Sequence, residues 1–274
     1  MQISFTLDVE DHRADPGDLP RHVDATHAVL EFLGERGIRG TFFVVGQVVE
    51  EFPGLVKEIA AEDHEVAVHG HRHVPLPEVE PAAFRTAMVE TKARIEDLVQ
   101  RPPAGFRAPQ FSLVAASAWA IDVLSELGFV YSSSVMPIHH PLHGDPDIPS
   151  GPFRWRSGLV ELPCPVVQVG PVGLPWLGAV WLRNLPWPVI RGGMAVTARR
   201  LPLLWTYAHP YDFDPDEPFR VLPEAGQVGS RLIWRKRHRM FADLDRLMAG
   251  RIGPPLVERV ETLPSPLPTF SWPR

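Results

Sequence analysis

The sequence predicts a single-domain α/β fold: a mostly parallel sheet curled into a barrel related to the eight-fold (β/α) type, with about seven strand–helix units. Three observations carry this expectation. Short apolar, β-branched or aromatic runs alternate with segments of helical periodicity. No internal repeat or low-complexity segment divides the chain. Its 274 residues, 45% of them hydrophobic, suit one barrel with a sizeable core.

The elements follow in order. Ile3–Leu7 is apolar enough for a buried strand. "DATHAVLEFLGERGI" sets Val29, Leu30, Leu33 and Ile38 at helical spacing, with Asp24 as its cap. "TFFVVG", Thr41 to Gly46, is a continuous aromatic and β-branched run, the mark of a strand covered on both faces. A helix is expected from Pro53, a strand at "EVAVH", and a long helix over Pro81–Val99. "AGFRAP" reads as strand and loop, "VAASAWAIDVLSELG" as helix and "FVYSSS" as strand. Later strands fall at Leu159–Leu162 and Leu203–Ala208, and a helix at Ile233–Met248, with "WRKRHRM" as its solvated face. The 31 prolines cluster late, so the second half should be rich in ordered loops. Residues 1–253 read as the domain, and 254–274 as a Pro-rich tail packed on it or extending from it.

Charge and composition narrow the function. A net charge of −6 and a pI near 6.1 argue against a nucleic-acid partner. Cys164 is the one cysteine, which excludes a disulfide framework and fits a reducing compartment. The N-terminus lacks a basic region followed by an apolar run, so no secretory signal is expected. No window offers the ~20 apolar residues of a spanning helix. The nearest stretch, 170–190, is broken by Arg183, Asn184 and four prolines. A soluble, cytoplasmic chain is expected, not a transmembrane one.

Four polar clusters stand where strands end, the place where parallel α/β folds gather their chemistry. In "TLDVEDH", Asp8, Glu10 and Asp11 crowd together after the first strand. Such acids repel one another, and a bound cation relieves the crowding. In an extended strand Asp8 and Glu10 share a face and Asp11 takes the other. "HGHRH" follows the third strand. One helical turn would put His69 and His73 on the same side and turn His71 away. A carboxylate from the first strand would complete a two-His, one-carboxylate metal site with open positions. A second carboxylate could then take a proton from water. Arg107 has the rigid fork that holds a carboxylate in place, and Pro109 fixes the next turn so that the amide of Gln110 aims at an oxyanion. His209, in "YAHPYDFD", could act as a general acid oriented by Asp212 or Asp214. Each cluster alone also fits a solvated loop, a cap or a strand-end ion pair. Four at one kind of location point to a site.

Together these residues resemble the polysaccharide deacetylases with the NodB homology domain, carbohydrate esterase family 4. The family's Thr-Phe-Asp-Asp-Gly motif takes the Asp-Val-Glu-Asp form in "TLDVED". His-(Ser/Thr)-x-x-His matches His69 to His73, Arg-x-Pro matches Arg107 to Pro109, and the Leu-x-His type matches Tyr207 to His209. Order and spacing agree over about residues 1 to 215. The resemblance implies a distorted (β/α)7-type barrel holding one divalent ion, zinc first and cobalt, nickel or manganese after it. It implies Asp8 as general base, Arg107 as its tether and His209 as the acid for the leaving amine. It implies His69 and His73 as ligands with one acid, Glu10, or Asp11 as the competitor.

The implied substrate is an N-acetylated amino sugar in a polysaccharide, an oligosaccharide or a lipid-linked precursor. The alternatives are a sugar deformylase, an allantoinase-like ureide hydrolase, and an inactive carbohydrate-binding relative. Asp8, His69, His73 and His209 are all present, which weighs against the last. Three departures stand out: Val9 where the family's second Asp belongs, no Ser or Thr inside "HGHRH", and Ser132–Ser133 where relatives often carry Asp. The Trp-rich stretch, with Trp155, Trp176, Trp181 and Trp187, reads as core anchors, or else as a sugar-stacking wall or interfacial patch.

Overall fold

In the first strand, β1 (Ile3–Val9), all seven residues are buried. Successive side chains of a strand point to opposite faces. Ile3, Phe5, Leu7 and Val9 therefore join the main apolar cluster beneath the helices. Ser4, Thr6 and Asp8 face the inside of the curl. Ser4 Oγ donates to Pro254 O at 2.6 Å, Thr6 Oγ1 donates to Thr206 O at 2.6 Å, and Asp8 accepts from Arg107. The inner face of β1 thus becomes more polar toward its carboxyl end, where the site lies. This computed structural model describes all residues except 14, 16, 141, 142, 170, 171, 223, 224, 273 and 274.

After β1 come α1 (Arg21–Gly34), β2 (Gly40–Val44), α2 (Gly46–Glu51), α3 (Pro53–Ala61), β3 (Glu65–Val68) and α4 (Pro81–Val99). Next are β4 (Gly105–Phe106), α5 (Trp119–Glu126), β5 (Tyr131–Ser132), β6 (Phe153–Trp155), β7 (Val160–Glu161), β8 (Val167–Val169) and β9 (Val172–Leu174). The chain ends with α6 (Ala179–Asn184), α7 (Trp187–Thr197), β10 (Leu204–Trp205), α8 (Gly226–Trp234), α9 (Met240–Met248), α10 (Leu256–Glu261) and β11 (Thr269–Phe270).

The sheet order is β10-β1-β2-β3-β4-β5-β7-β6-β11. Its first seven strands run parallel, β6 returns antiparallel to β7, and β11 joins β6. The expected barrel is therefore a curled half-barrel with β10 and β11 as its edges. β8 and β9 form a separate hairpin. A second apolar cluster, with Phe43, Tyr131, Leu162 and Trp205, fills the inside of the curl. Among the described residues, no helix is long and apolar enough to cross a membrane.

Helix α4 keeps its expected bounds, with Pro81 in its first turn and Gln100 left-handed at its end. Elsewhere the chain departs from expectation. Helix α1 begins at Arg21, so Asp24 lies inside the first turn and does not cap it. There it still complements the positive end of the helix dipole. The helix expected over Ile233–Met248 is two helices. Arg235 is extended and Lys236 is left-handed, so α8 stops at Trp234 and α9 starts at Met240. The break has a tertiary cause. Arg237 is buried, donates to Glu217 at 2.6 Å and lies 4.0 Å over the Trp234 ring. "WRKRHRM" is thus an anchored corner and not a solvated helix face.

Trp155 and Trp176 are buried in the core. The tail contributes buried Leu256 and strand β11, and Trp272 packs against Trp155 with ring centres 4.8 Å apart and planes tilted by 32°.

Candidate active site

The carboxyl ends of β1, β3, β4 and β10 bring the four expected clusters together. Asp8 is buried and paired with Arg107 Nη1 through Oδ1. Arg107 is itself fully buried. It donates to Thr6 Oγ1 at 2.9 Å and to Ser133 Oγ at 3.2 Å, and its guanidinium lies 3.9 Å over Phe43 and 4.4 Å over Trp205. Bonds from the guanidinium and aromatic faces around it fix this arginine, so it can fix Asp8. Ser133 belongs to the Ser132–Ser133 pair where relatives often carry Asp, and here it serves the clamp.

Glu10, one residue past β1, is 3% exposed. Single ligand atoms of Glu10, His69 and His73 all lie within 4.8 Å of one another. The two histidines do not meet through a helical turn. Gly70 has φ +68° and His73 φ +51°, so a left-handed loop folds His73 back over His69. A Cβ on Gly70 would stand 3.2 Å from Pro109, so with its positive φ the position suits glycine. His71 points away, toward Thr91 Oγ1 at 3.5 Å.

His69 Nδ1 donates to Arg107 O at 3.0 Å, which leaves the Nε2 lone pair facing the carboxylates. Burial is the largest influence on His69 and drives its pKa down to about 4, against the pull of Asp8. It is therefore neutral at pH 7, as a metal ligand must be. Burial opposes the charge of Glu10, yet His73, His12 and His209 together hold its pKa well below the usual range.

Glu10 Oε2 lies 2.5 Å from His73 Nε2, closer than two ligands of one zinc ion would stand. Burial disfavours charge on His73, but Glu10 raises its pKa, and a divalent ion on both groups would take the place of that proton. One carboxylate and two imidazoles suit zinc or a similar divalent metal. Asp11 lies elsewhere: it binds Arg13 Nε at 2.6 Å and the Arg13 backbone N–H at 2.9 Å.

His209 sits across from this group, its Nε2 3.6 Å from Glu10 Oε1 and 4.0 Å from Asp8 Oδ2. Asp212 Oδ2 accepts from its Nδ1 at 3.2 Å and from its backbone N–H at 2.9 Å. Asp214 instead takes Arg21 at 2.6 Å. Burial disfavours charge on His209, but Glu10 and then Asp212 raise its pKa to about 9. Gln110 lines the cavity with φ +56°.

Three participants escaped the sequence reading. His12 Nε2 lies 2.6 Å from Glu10 Oε1; it stands inside "TLDVEDH", so its position was the available signal. Tyr211 stacks on His209 at 4.8 Å and 7°. Buried Arg183, on α6, pairs with Asp212 at 2.5 Å, and nothing local to its sequence announces it.

Comparison with known proteins agrees with this geometry. A polysaccharide deacetylase family model matches residues 10–132, and a domain of unknown function, DUF3473, matches residues 133–251. The chitooligosaccharide deacetylase of Rhizobium leguminosarum bv. phaseoli is 33% identical over 137 residues, 50% of this chain and 53% of that protein. The chitin deacetylase of a Pestalotiopsis species is 25% identical over 140 residues, 50% of this chain and 46% of that one. Coverage of such curated relatives is partial, 32% to 46% of the length of two of them. A Mycobacterium smegmatis structure described as a polysaccharide deacetylase shares the fold. Its TM-score is 0.67 at 20% identity, over 100% of this chain and 94% of that one. Over residues 10–132 the chain matches the polysaccharide deacetylase family, carbohydrate esterase family 4, and its ordered motifs agree with that match.

Proposed function

We propose that this chain is a metal-dependent hydrolase that removes N-acetyl groups from an amino sugar in a polysaccharide, an oligosaccharide or a lipid-linked glycan precursor. One observation carries the reading: the triangle of buried Glu10, buried His69 and partly exposed His73 lies between a clamped aspartate and a histidine held by its own aspartate. A divalent ion on Glu10, His69 and His73, zinc before cobalt, nickel or manganese, would polarise the acyl carbonyl and make water a better nucleophile.

The protein's own residues supply the rest. Arg107 occupies Asp8 Oδ1 and leaves Oδ2 facing the cavity, 3.8 Å from His69 Nε2. Asp8 Oδ2 accepts the proton of the attacking water. The N–H of Gln110, a residue of the cavity wall, donates to the carbonyl oxygen as negative charge develops there. His209 gives a proton from Nε2 to the departing amine. Asp212 holds its Nδ1, and Arg183 keeps Asp212 ionised against its burial. In this reading residues 1–253 are the catalytic unit, because His209 and Arg183 lie beyond the segment 10–132.

The test is acetate release from N-acetylglucosamine oligomers by zinc-loaded protein, with metal content measured in parallel. One ion per chain and acetate release that stops on chelation and returns with zinc are expected. Stoichiometric metal with no acetate from any N-acetylated saccharide would overturn the deacetylase reading. N-formyl sugars and allantoin would then be the next substrates to try.

A further inference from the structure

Helix α7 is apolar on both of its sides. The inner side buries Ile190, Gly193, Met194 and Thr197, with Gly193 set against the Trp176 ring. The outer side of a surface helix is ordinarily polar. Here it exposes Pro188, Val189, Gly192, Ala195 and Val196, with Arg191 at its edge. Val189 is 39% exposed and Val196 44%. Positions 189, 192 and 196 share a face at helical spacing, so the two valines belong to one patch and are not scattered. A Cβ on Gly192, between them, would meet no atom within 4 Å. A helix apolar all round is normally buried, yet this side of α7 faces outward.

The charge around this patch has one sign. No aspartate or glutamate stands between Glu161 and Asp212, in a chain whose net charge is −6. The same stretch carries four arginines. Arg183 is buried and committed to Asp212. Arg191, Arg199 and Arg200 are exposed, and among the described residues none of them has an ion-pair partner. The Arg200 N–H returns to Thr197 O at 3.0 Å, so the last two stay beside the end of α7. At the other end, half-buried Trp187 has the Arg246 guanidinium 4.1 Å over its ring. An apolar centre with a cationic rim fits the surface of an anionic bilayer: the valines enter the interface and the guanidinium groups meet lipid phosphates. A second copy of the chain fits less well, because a two-fold contact would bring unpaired arginines together with no acid to answer them.

We propose that α7 is a docking face for an anionic phospholipid bilayer, on which the protein rests without crossing it. The probes are vesicles of phosphatidylglycerol and phosphatidylcholine in equal parts, and vesicles of phosphatidylcholine alone. The protein should sediment with the mixed vesicles at low salt, less at high salt, and not with phosphatidylcholine alone. Arg191→Gln/Arg199→Gln/Arg200→Gln should weaken binding about fivefold for each arginine removed. Gly192→Glu sets an acid in the middle of the face and should weaken binding at least as much as one lost arginine. Both variants should keep the parent's midpoint in urea unfolding, because every replaced position is exposed. Failure to sediment with the mixed vesicles, or sedimentation that either variant leaves unchanged, overturns the docking face. So does a dimer in solution that Gly192→Glu splits, since a second copy would then cover α7. Vesicle binding needs no turnover, so it stands or falls apart from acetate release.

Discussion

Glu65 opens β3 at one end of the sheet, and Glu10 follows β1 at the other; both carboxylates are buried, yet they are surrounded differently. Glu65 accepts from Thr41 Oγ1 at 2.7 Å, from the Val257 N–H at 3.0 Å and from the Tyr131 hydroxyl at 2.9 Å. Among the described residues no cation pairs with it, and burial raises its pKa. Glu161 is similar, taking the Ser134 N–H at 2.6 Å and Trp155 Nε1 at 3.0 Å. Glu10 is ringed instead by three histidines, at 2.5, 2.6 and 3.6 Å. Burial alone does not set a functional acid apart. Neutral donors complete a structural one, and a ring of imidazoles suits one arranged for a metal.

The largest expected effect tests the functional end. Asp8→Asn keeps the size and most contacts of the residue but removes the proposed proton acceptor. Acetate release should fall by about 10³-fold or more, within the range for a lost general base. Circular dichroism and zinc stoichiometry should stay as they are. A variant with a tenth of the parent activity would show that another group takes the proton.

Asp212→Asn comes next. It removes the negative partner that holds His209 and favours its protonated form. Loss of kcat by about 10²-fold is expected. Because a lost anion lowers the histidine pKa, the alkaline limb of the kcat profile should move to lower pH. An unmoved limb would assign that limb to a different group.

Exchanging the roles of the two glutamates sharpens the comparison. Glu65→Ala strands three donors at the structural end and should cost about 2–4 kcal/mol in urea unfolding, with activity per folded molecule kept. Glu10→Gln should cost the metal-free protein about 1 kcal/mol or less but abolish zinc binding. Should Glu10→Gln destabilise as much as Glu65→Ala, Glu10 would be a structural acid after all.

The contrast between the two ends also explains what could be read from the sequence. Asp8, Glu10, His69, His73, Arg107 and His209 were legible because each is a chemically distinctive side chain at a strand end. The choice of Glu10 over Asp11 was not, because the strand ends at Val9 and side-chain alternation lapses there. Helix α4 was legible from periodicity. The break at Lys236 was not, because Ile233, Trp234 and Met240 carry the apolar pattern across it while the cause, Glu217, lies far along the chain. Arg183 was hidden for the same reason: its partner Asp212 is 29 positions away.

The smallest effect sets two histidines against each other. His209, facing the acids of the site, is raised to about 9, whereas His64, beside Gly40 at the structural end, is pushed down to about 4, mainly by burial. His64 Nδ1 accepts from the Gly40 N–H at 3.0 Å, and its ring lies 4.8 Å from Phe42. The fold therefore holds it neutral. Above its ordinary value of 6.5 both folded and unfolded chains carry it neutral, and it adds no pH dependence. As pH falls below 6.5 the unfolded chain gains a proton that the folded chain refuses, so stability drops until about pH 4. At pH 5.5 this loss is about 1 kcal/mol. His64→Gln offers Gly40 an acceptor that cannot titrate. Urea unfolding at pH 7.5 and 5.5 should then show the wild type losing about 1 kcal/mol more than the variant between the two. If both lose the same amount, His64 titrates in the folded chain as freely as in the unfolded one, and the acid sensitivity belongs to the histidines of the site.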